Sequence, residues 1–199
     1  SEVPGRDEAW KQETIKNTSE QQFSQEFDCE FIGSTATLIA GSKLRTIPFI
    51  QPIYQKQSLD VYEHPIENHS YVIICDTARG QGLDYSAFVV LDVTQLPYKV
   101  VAKYRNNEIS PMLYPNIIRQ AGVHYGNAYV LVEVNDIGAQ VADILHQDLE
   151  YDNIMMMSWK GRAGQQLGGG FGKNTALGVR TTKQLKRIGC TTLKNLVEA

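Results

Sequence analysis

The stretch Tyr71-Val72-Ile73-Ile74-Cys75-Asp76-Thr77-Ala78-Arg79-Gly80-Gln81-Gly82-Leu83-Asp84 decides how the rest of the chain is read. A run of apolar, strand-favouring side chains stops at an acid, and two glycines follow closely, a pattern of strand then turn. Two more strand-like runs come directly after it, Ser86 to Leu91 and Tyr98 to Tyr104, so three consecutive strands in an antiparallel meander are predicted. Ser110-Pro111 then sets a capping residue before a proline at a first helical position, and Ile117, Ile118, Ala121 and Tyr125 continue an apolar helical face. Ala128 to Val134 reads as a buried strand. Asn135 or Asp136 offers a cap for a second helix carrying Ile137, Val141, Ile144, Leu145 and Leu149. Ile154 to Trp159 reads as a fifth strand, Gly161 to Gly178 as a mobile glycine-rich loop, and Thr181 to Val197 as a basic helix despite Gly189. The order βββαβαβα predicts a mixed α/β sheet.

Upstream the pattern is thinner. Residues 7–28 read as helical, with Ser19 and Gln22 spaced as a capping box before Phe23 and Phe27 and only Trp10 and Ile15 as an earlier apolar face. Residues 29–70 hold short β-like runs, Ala36 to Ile39 and Thr46 to Tyr54, broken by Gly41, Pro48 and Pro52, and read as an extended connector.

Across 199 residues, 42% hydrophobic and 21% charged side chains with a net charge of −3 exclude a disordered chain and predict one sizeable core with a small appendage. No apolar run approaches the roughly 18 residues of a membrane span, and SEVPGRDEAW has neither the basic start nor the apolar stretch of a signal peptide, so a soluble, unsecreted protein is expected. Cys29, Cys75 and Cys190 are odd in number and far apart, which argues against a disulfide framework or a zinc site and fits a reducing cytoplasm.

The net charge hides a division. Residues 160–199 carry eight basic side chains against Glu198 alone, a net of +7, which leaves −10 for residues 1–159. Arg180, Lys183, Lys186, Arg187 and Lys173 form a patch that could face a polyanion such as DNA, and a solvated helix face explains the same residues equally well.

Several motifs fail on inspection. Gly172-Lys173 lacks the glycine of a phosphate loop where Leu167 stands and the Ser or Thr where Asn174 stands. Neither Gly80-Gln81-Gly82 nor the glycines from Gly168 to Gly172 complete a dinucleotide fingerprint. His64, His69, His124 and His146 show no metal-binding spacing, and no serine or cysteine occupies a nucleophile elbow. What remains is acidic: Asp76 ends the first core strand, and Glu133 lies near the end of Val130-Leu131-Val132-Glu133-Val134. An acid in an apolar strand is costly to bury unless a cation or hydrogen bonds compensate it. Two such acids on neighbouring strands could share a site for Mg²⁺ or Mn²⁺, which favour hard oxygen ligands. The competing reading is that Asp76 caps a turn through its own backbone and Glu133 pairs with a basic side chain.

These residues carry a family resemblance. The segments Gly5 to Trp10, Gln25 to Phe31, Cys75 to Asp84, Val132 to Asn135, Asp148 to Tyr151 and Gly189 to Lys194, in that order and separation, resemble the nuclease domain of the large terminase subunit of tailed bacteriophages, a DNA-packaging motor that cuts concatemeric genomes. The resemblance implies an RNase H-like fold, with residues 1–31 as the end of the motor's ATPase region and hinge, 32–70 as the connector and 71–199 as the nuclease domain. It implies a metal-dependent endonuclease in which Asp76 and Glu133 bind Mg²⁺ or Mn²⁺ and Asp84 is an auxiliary acid at the same site. It further implies that the family's remaining catalytic aspartate would lie beyond Ala199, a C-terminal truncation that puts activity of the fragment in question. Implied partners are double-stranded DNA, the ATPase domain of the same motor, the small terminase subunit and the capsid portal, in the cytoplasm of an infected bacterium. Two alternatives are a non-catalytic module that guides DNA or contacts the motor, and an actin-like nucleotide-binding ATPase, which would need a second phosphate loop that the sequence lacks.

Overall fold

The computed structural model describes residues 8–17, 37–159, 165–168 and 175–198. The chain divides into two compact units, residues 50–183 on one hand and residues 1–49 with 184–199 on the other.

The larger unit is built on a six-stranded mixed sheet in the order β1-β2-β5-β4-β3-β6. Its strands are β1 (Tyr54–Lys56), β2 (Leu59–Val61), β3 (Tyr71–Asp76), β4 (Ser86–Asp92), β5 (Lys99–Asn106) and β6 (Tyr129–Val132). The predicted meander is present, since β3 pairs antiparallel with β4 and β4 with β5. β6 joins the other side of β3 in parallel, as expected when a helix, here α3 (Tyr114–His124), makes the crossover.

Alternation along the strands fixes which face is covered. Tyr71, Ile73 and Cys75 of β3, Phe88 and Val90 of β4, and Val130 and Val132 of β6 are buried together with Tyr114, Ile118, Ala121 and Tyr125 of α3 and with Val141, Ala142 and Leu145. Of these last three, Val141 and Ala142 belong to α4 (Gly138–Asp143), which runs on into a π-helical turn over Ile144–Asp148 containing Leu145. Phe88, Tyr104 and Tyr114 stack at the centre, with Phe88 and Tyr104 centroids 5.2 Å apart. The buried tyrosines keep their hydroxyls satisfied: Tyr114 donates to the Ala87 carbonyl at 2.6 Å, Tyr125 to that of Glu63 at 2.9 Å and Tyr151 to that of Ala128 at 2.6 Å.

The structure departs from the sequence reading at five places. Residues 29–70 are not wholly a connector: Gly41–Thr46 form a short helix, α2, and Tyr54–Lys56 and Leu59–Val61 are strands of the main sheet, held by pairing of β2 with β5. Ser110-Pro111 does not open a helix; the Ser110 carbonyl closes a turn on the amides of Leu113 and Tyr114, and α3 starts at Tyr114 with Pro115 in its first turn. Neither Asn135 nor Asp136 caps α4, because both side chains are engaged elsewhere. The expected fifth strand splits. Ile154 makes one parallel bridge with Val130, and β7 (Met156–Trp159) then enters a separate sheet, in the order β8-β7-β9. The glycine-rich stretch therefore supplies two strands, β8 (Gln165–Gly168) and β9 (Thr175–Leu177), while residues 161–164 and 169–174 lie outside the described residues.

In the smaller unit, α1 (Glu8–Asn17) covers part of the expected 7–28 helix, and Ser19, Gln22, Phe23 and Phe27 lie outside the described residues. The basic helix is present as α5 (Lys183–Glu198), which begins at the last residue of the larger unit. Its 3.6-residue period sets Leu185, Ile188, Leu193 and Leu196 along one side and Lys183, Lys186, Arg187 and Lys194 along the other.

Candidate active site

The two acids singled out by sequence arrive on one face by simple registry. In β3 the buried side chains are Tyr71, Ile73 and Cys75, so Val72, Ile74 and Asp76 point to the face away from α3 and α4. In β6 Val130 and Val132 are buried, and Leu131 and Glu133 take the opposite direction. The parallel register pairs Ile74 with Leu131 and Cys75 with Val132, and the Glu133 amide donates to the Cys75 carbonyl at 2.9 Å. Asp76 and Glu133 thus end adjacent strands on the same face.

Both line a shallow depression of about 370 Å³ whose floor includes Ile74, Val89 and Leu131 and whose rim includes Val179 and Thr181. Val179 makes an isolated parallel bridge with Glu133; Arg180, the next residue, is exposed and is not among the side chains lining this depression. The Glu133 carboxylate accepts a hydrogen bond from the Asn135 amide at 3.1 Å, and the Asn135 side chain in turn donates to the Thr181 carbonyl at 3.0 Å. Among the described residues neither Asp76 nor Glu133 takes part in an ion pair, so the pairing of Glu133 with a basic side chain is not what is found.

Asp76 is also a wall of a second depression, of about 360 Å³, shared with Asp84, Arg79 and Asp136. The loop after β3 is shaped by Gly80 at φ +68°, where a Cβ would lie 2.3 Å from the Ile109 carbonyl oxygen, so only glycine lets this turn lie against that backbone. Asp84, also in the lining of this depression, is exposed. Arg79 reaches across to the loop after β6 and clasps Asp136, with Nε to Oδ2 at 3.0 Å. Nothing in the sequence pattern joined these two residues, which lie 57 positions apart. Below Asp76, burial pushes the Cys75 thiol far up, which makes it an inert packing group.

The donor chemistry suits a hard divalent cation: carboxylate oxygens from two strand ends, one face and one depression. Among the described residues no group of three or more His, Cys, Asp or Glu side chains is close enough to hold a metal; Asp76 and Glu133 line one depression, and Asp76 and Asp84 the other. Of the basic candidates, Arg180 is exposed after the strand-like residue Val179, and Lys183, Lys186 and Arg187 are exposed on α5; Lys173 lies outside the described residues.

A family model described as the terminase RNaseH-like domain matches residues 73–199. The chain belongs to that family. Among solved structures, the large terminase nuclease from thermophilic phage G20c with bound magnesium is similar with a TM-score of 0.56 and 22% identity over 79% of this chain and 68% of that one. The cobalt-bound form of the same phage protein gives 0.54 and 22% over 75% of this chain, and the zinc-bound form 0.55 and 20% over 79%. This chain spans 64% of the length of the cobalt-bound structure, just under two thirds. At such identities the likeness is one of fold, and it bears out the RNase H-like mixed sheet expected of a terminase domain. No helix among the described residues is long and apolar enough to cross a membrane.

Proposed function

We propose that this terminase-family domain is a divalent-metal-dependent DNA endonuclease that cuts concatemeric phage DNA during genome packaging, residues 71–199 being its nuclease portion, with residues 1–31 as the end of an ATPase region and hinge. The observation that carries the reading is the placement of Asp76 and Glu133 at the ends of adjacent parallel strands, on the sheet face away from α3 and α4, in one depression. Two carboxylates converge there at a cost in mutual repulsion that a cation would offset. Asp76 and Glu133 would hold Mg²⁺ or Mn²⁺, with Asp84 placed to orient a ligand from the adjoining depression. Such an ion, when bound, neutralises charge on a phosphodiester and lowers the pKa of water to generate a nucleophile.

The chain's own contribution is positional. The Asn135 amide holds one Glu133 oxygen and leaves the other free to act, while the Asn135 side chain ties this corner to Thr181 beside Arg180. Arg180, Lys183, Lys186, Arg187 and Lys173 would meet phosphates without reading sequence, so cut-site choice falls to partners. Double-stranded DNA, the motor's ATPase domain, the small terminase subunit and the portal fit this reading, in the cytoplasm of an infected bacterium.

The test is nicking of supercoiled plasmid with Mg²⁺ or Mn²⁺. Any nicking by the wild type should be abolished by EDTA and lowered at least 100-fold by Glu133→Gln or Asp76→Asn, the scale on which loss of a positioned catalytic group acts. Cleavage that survives both substitutions would refute the assignment. Absence of cleavage with intact DNA binding would favour the DNA-guiding module instead.

A further inference from the structure

The depression shared by Asp76, Asp84 and Asp136 contains a single described cation, Arg79, and that cation is occupied by Asp136. We propose that Asp136 is a stand-in for a DNA phosphate: in the free protein it holds the Arg79 guanidinium in the posture that receives the backbone of duplex DNA beside the two acids, and DNA takes its place. The proposal deepens the DNA-cleavage reading above and rests on it for the identity of the polyanion.

Geometry and chemistry both support exchange. The Arg79 fork meets Asp136 through Nε and Nη2, the two-point arrangement that guanidinium groups also make with phosphate oxygens. Both side chains remain largely in solvent, 58% and 64% exposed, so the pair is screened and adds little to folding. An ion pair of this kind is readily replaced by a phosphate that brings two oxygens and releases counterions. The pair also joins the loops that follow the two acidic strands, since Arg79 lies three residues after Asp76 and Asp136 three residues after Glu133. Asp136 sits at φ +50°, a left-handed conformation tolerated by Asp, which is how its carboxylate comes to face the loop after β3.

In the free state the arrangement does two things. It keeps a cation beside an otherwise acidic depression, where DNA would be repelled by Asp76 and Asp84, and it prevents that cation from folding back onto Asp76, where it would compete with a metal. Once phosphate engages Arg79, Asp136 is released as an unpaired carboxylate at the rim.

The experiment is binding of a fluorescein-labelled duplex by the full 199-residue chain in EDTA, read as anisotropy over a series of salt concentrations, with melting curves to show that each variant is folded. Arg79→Ala should weaken binding about tenfold and reduce the salt slope by about one. Arg79→Lys should recover only part, because an ammonium cannot make the two-point contact. Asp136→Asn, which frees Arg79, should tighten binding about three- to fivefold, whereas in the Arg79→Ala background the same change should stay within about twofold, the signature of coupled residues. Wild-type binding with no loss in Arg79→Ala, or an Asp136→Asn gain that is equal in both backgrounds, overturns the exchange and leaves the endonuclease reading to its own plasmid test. Wild-type protein that fails to bind duplex overturns both.

Discussion

Gly138→Ala should damage the candidate site from behind while leaving every acid in place. Gly138 opens α4, and an added Cβ would lie 1.8 Å from the carbonyl oxygen of Glu133 and 2.9 Å from its carbonyl carbon, with the next neighbour, Thr77 Oγ1, at 3.8 Å. The whole collision therefore falls on the backbone of the second acid. Real Cβ contacts do not fall below 3.0 Å, so Glu133 and α4 must separate by at least about 1.2 Å, and the Glu133 carbonyl cannot rotate away cheaply because the other end of its peptide unit, the Val134 amide, is bonded to the Val179 carbonyl at 2.9 Å. Overpacking of this kind typically costs 1–3 kcal/mol. For a chain of this size that is a fall in Tm of about 4–8 °C at the middle of the range. A displacement near 1 Å of a positioned group can cost about 100-fold in rate. The assays are a thermal melt by circular dichroism and plasmid nicking measured well below the lowered Tm, so that loss of activity is not loss of fold. Gly138→Ala with wild-type Tm and wild-type nicking would mean that α4 does not press on Glu133 and that the account of how this acid is positioned is wrong.

Two further outcomes are expected. Burial by itself would raise the Asp92 pKa, but hydrogen bonds from Thr94 and from His69, 2.6 Å away, outweigh it and hold the carboxyl down at about 2, from 3.8 in the unfolded chain. A depressed carboxylate stabilises above its unfolded pKa and loses that contribution as pH falls through the folded one. Asp92→Asn should therefore cost about 2 kcal/mol at pH 7 in urea melts, and its gap from the wild type should shrink below pH 4; a gap constant from pH 6 to pH 3 would refute this. Asp76→Asn should leave folding unharmed or raise stability by up to about 1 kcal/mol, because it removes a like charge beside Glu133 on the neighbouring strand. Excess MgCl₂ should raise the melting temperature of the wild type and not that of the variant, as binding to the folded state requires; an equal rise in both would place the ion elsewhere.

The sheet centre was legible because each strand carries its own period-two pattern and the turns between β3, β4 and β5 are local. That Asp76 and Glu133 share a site was an expectation of the family resemblance, whereas the parallel register of β3 with β6 that sets them on one face joins residues more than fifty positions apart. The edge strands were not legible for a physical reason: β1 and β2 have three residues each, and their hairpin turns on Gln57 and Ser58, at φ +47° and +72°, without the Asn or Gly that normally marks such a turn. Their order comes from pairing with β5, more than forty residues away, which no local window contains. The start of α3 was misplaced because Ser110-Pro111 and Tyr114-Pro115 both satisfy the rule for a proline in a first turn, and only the packing of Tyr114 against Phe88 and Tyr104 selects the second. Asn135 and Asp136 look like caps by type, yet Thr181 and Arg79, distant in sequence, claim their side chains.

These misses share a direction that bears on function. The helix-covered face of the sheet holds the aromatic stack and the buried valines, and there each residue's identity is dictated by packing that sequence periodicity reports well. The other face holds Asp76 and Glu133 over a floor that stays partly exposed, Ile74 being 41% accessible. Nothing about folding requires acids there, and two neighbouring like charges work against it. Groups kept at a cost to stability are the ones a physical reading should suspect of chemistry. The contacts that arrange them, Asn135 to Thr181, Arg79 to Asp136 and the Gly138 helix start against Glu133, are all long-range or backbone contacts, and none leaves a periodic trace. Sequence can therefore find the acids of such a site, while the parts that hold them in register become visible only in the fold.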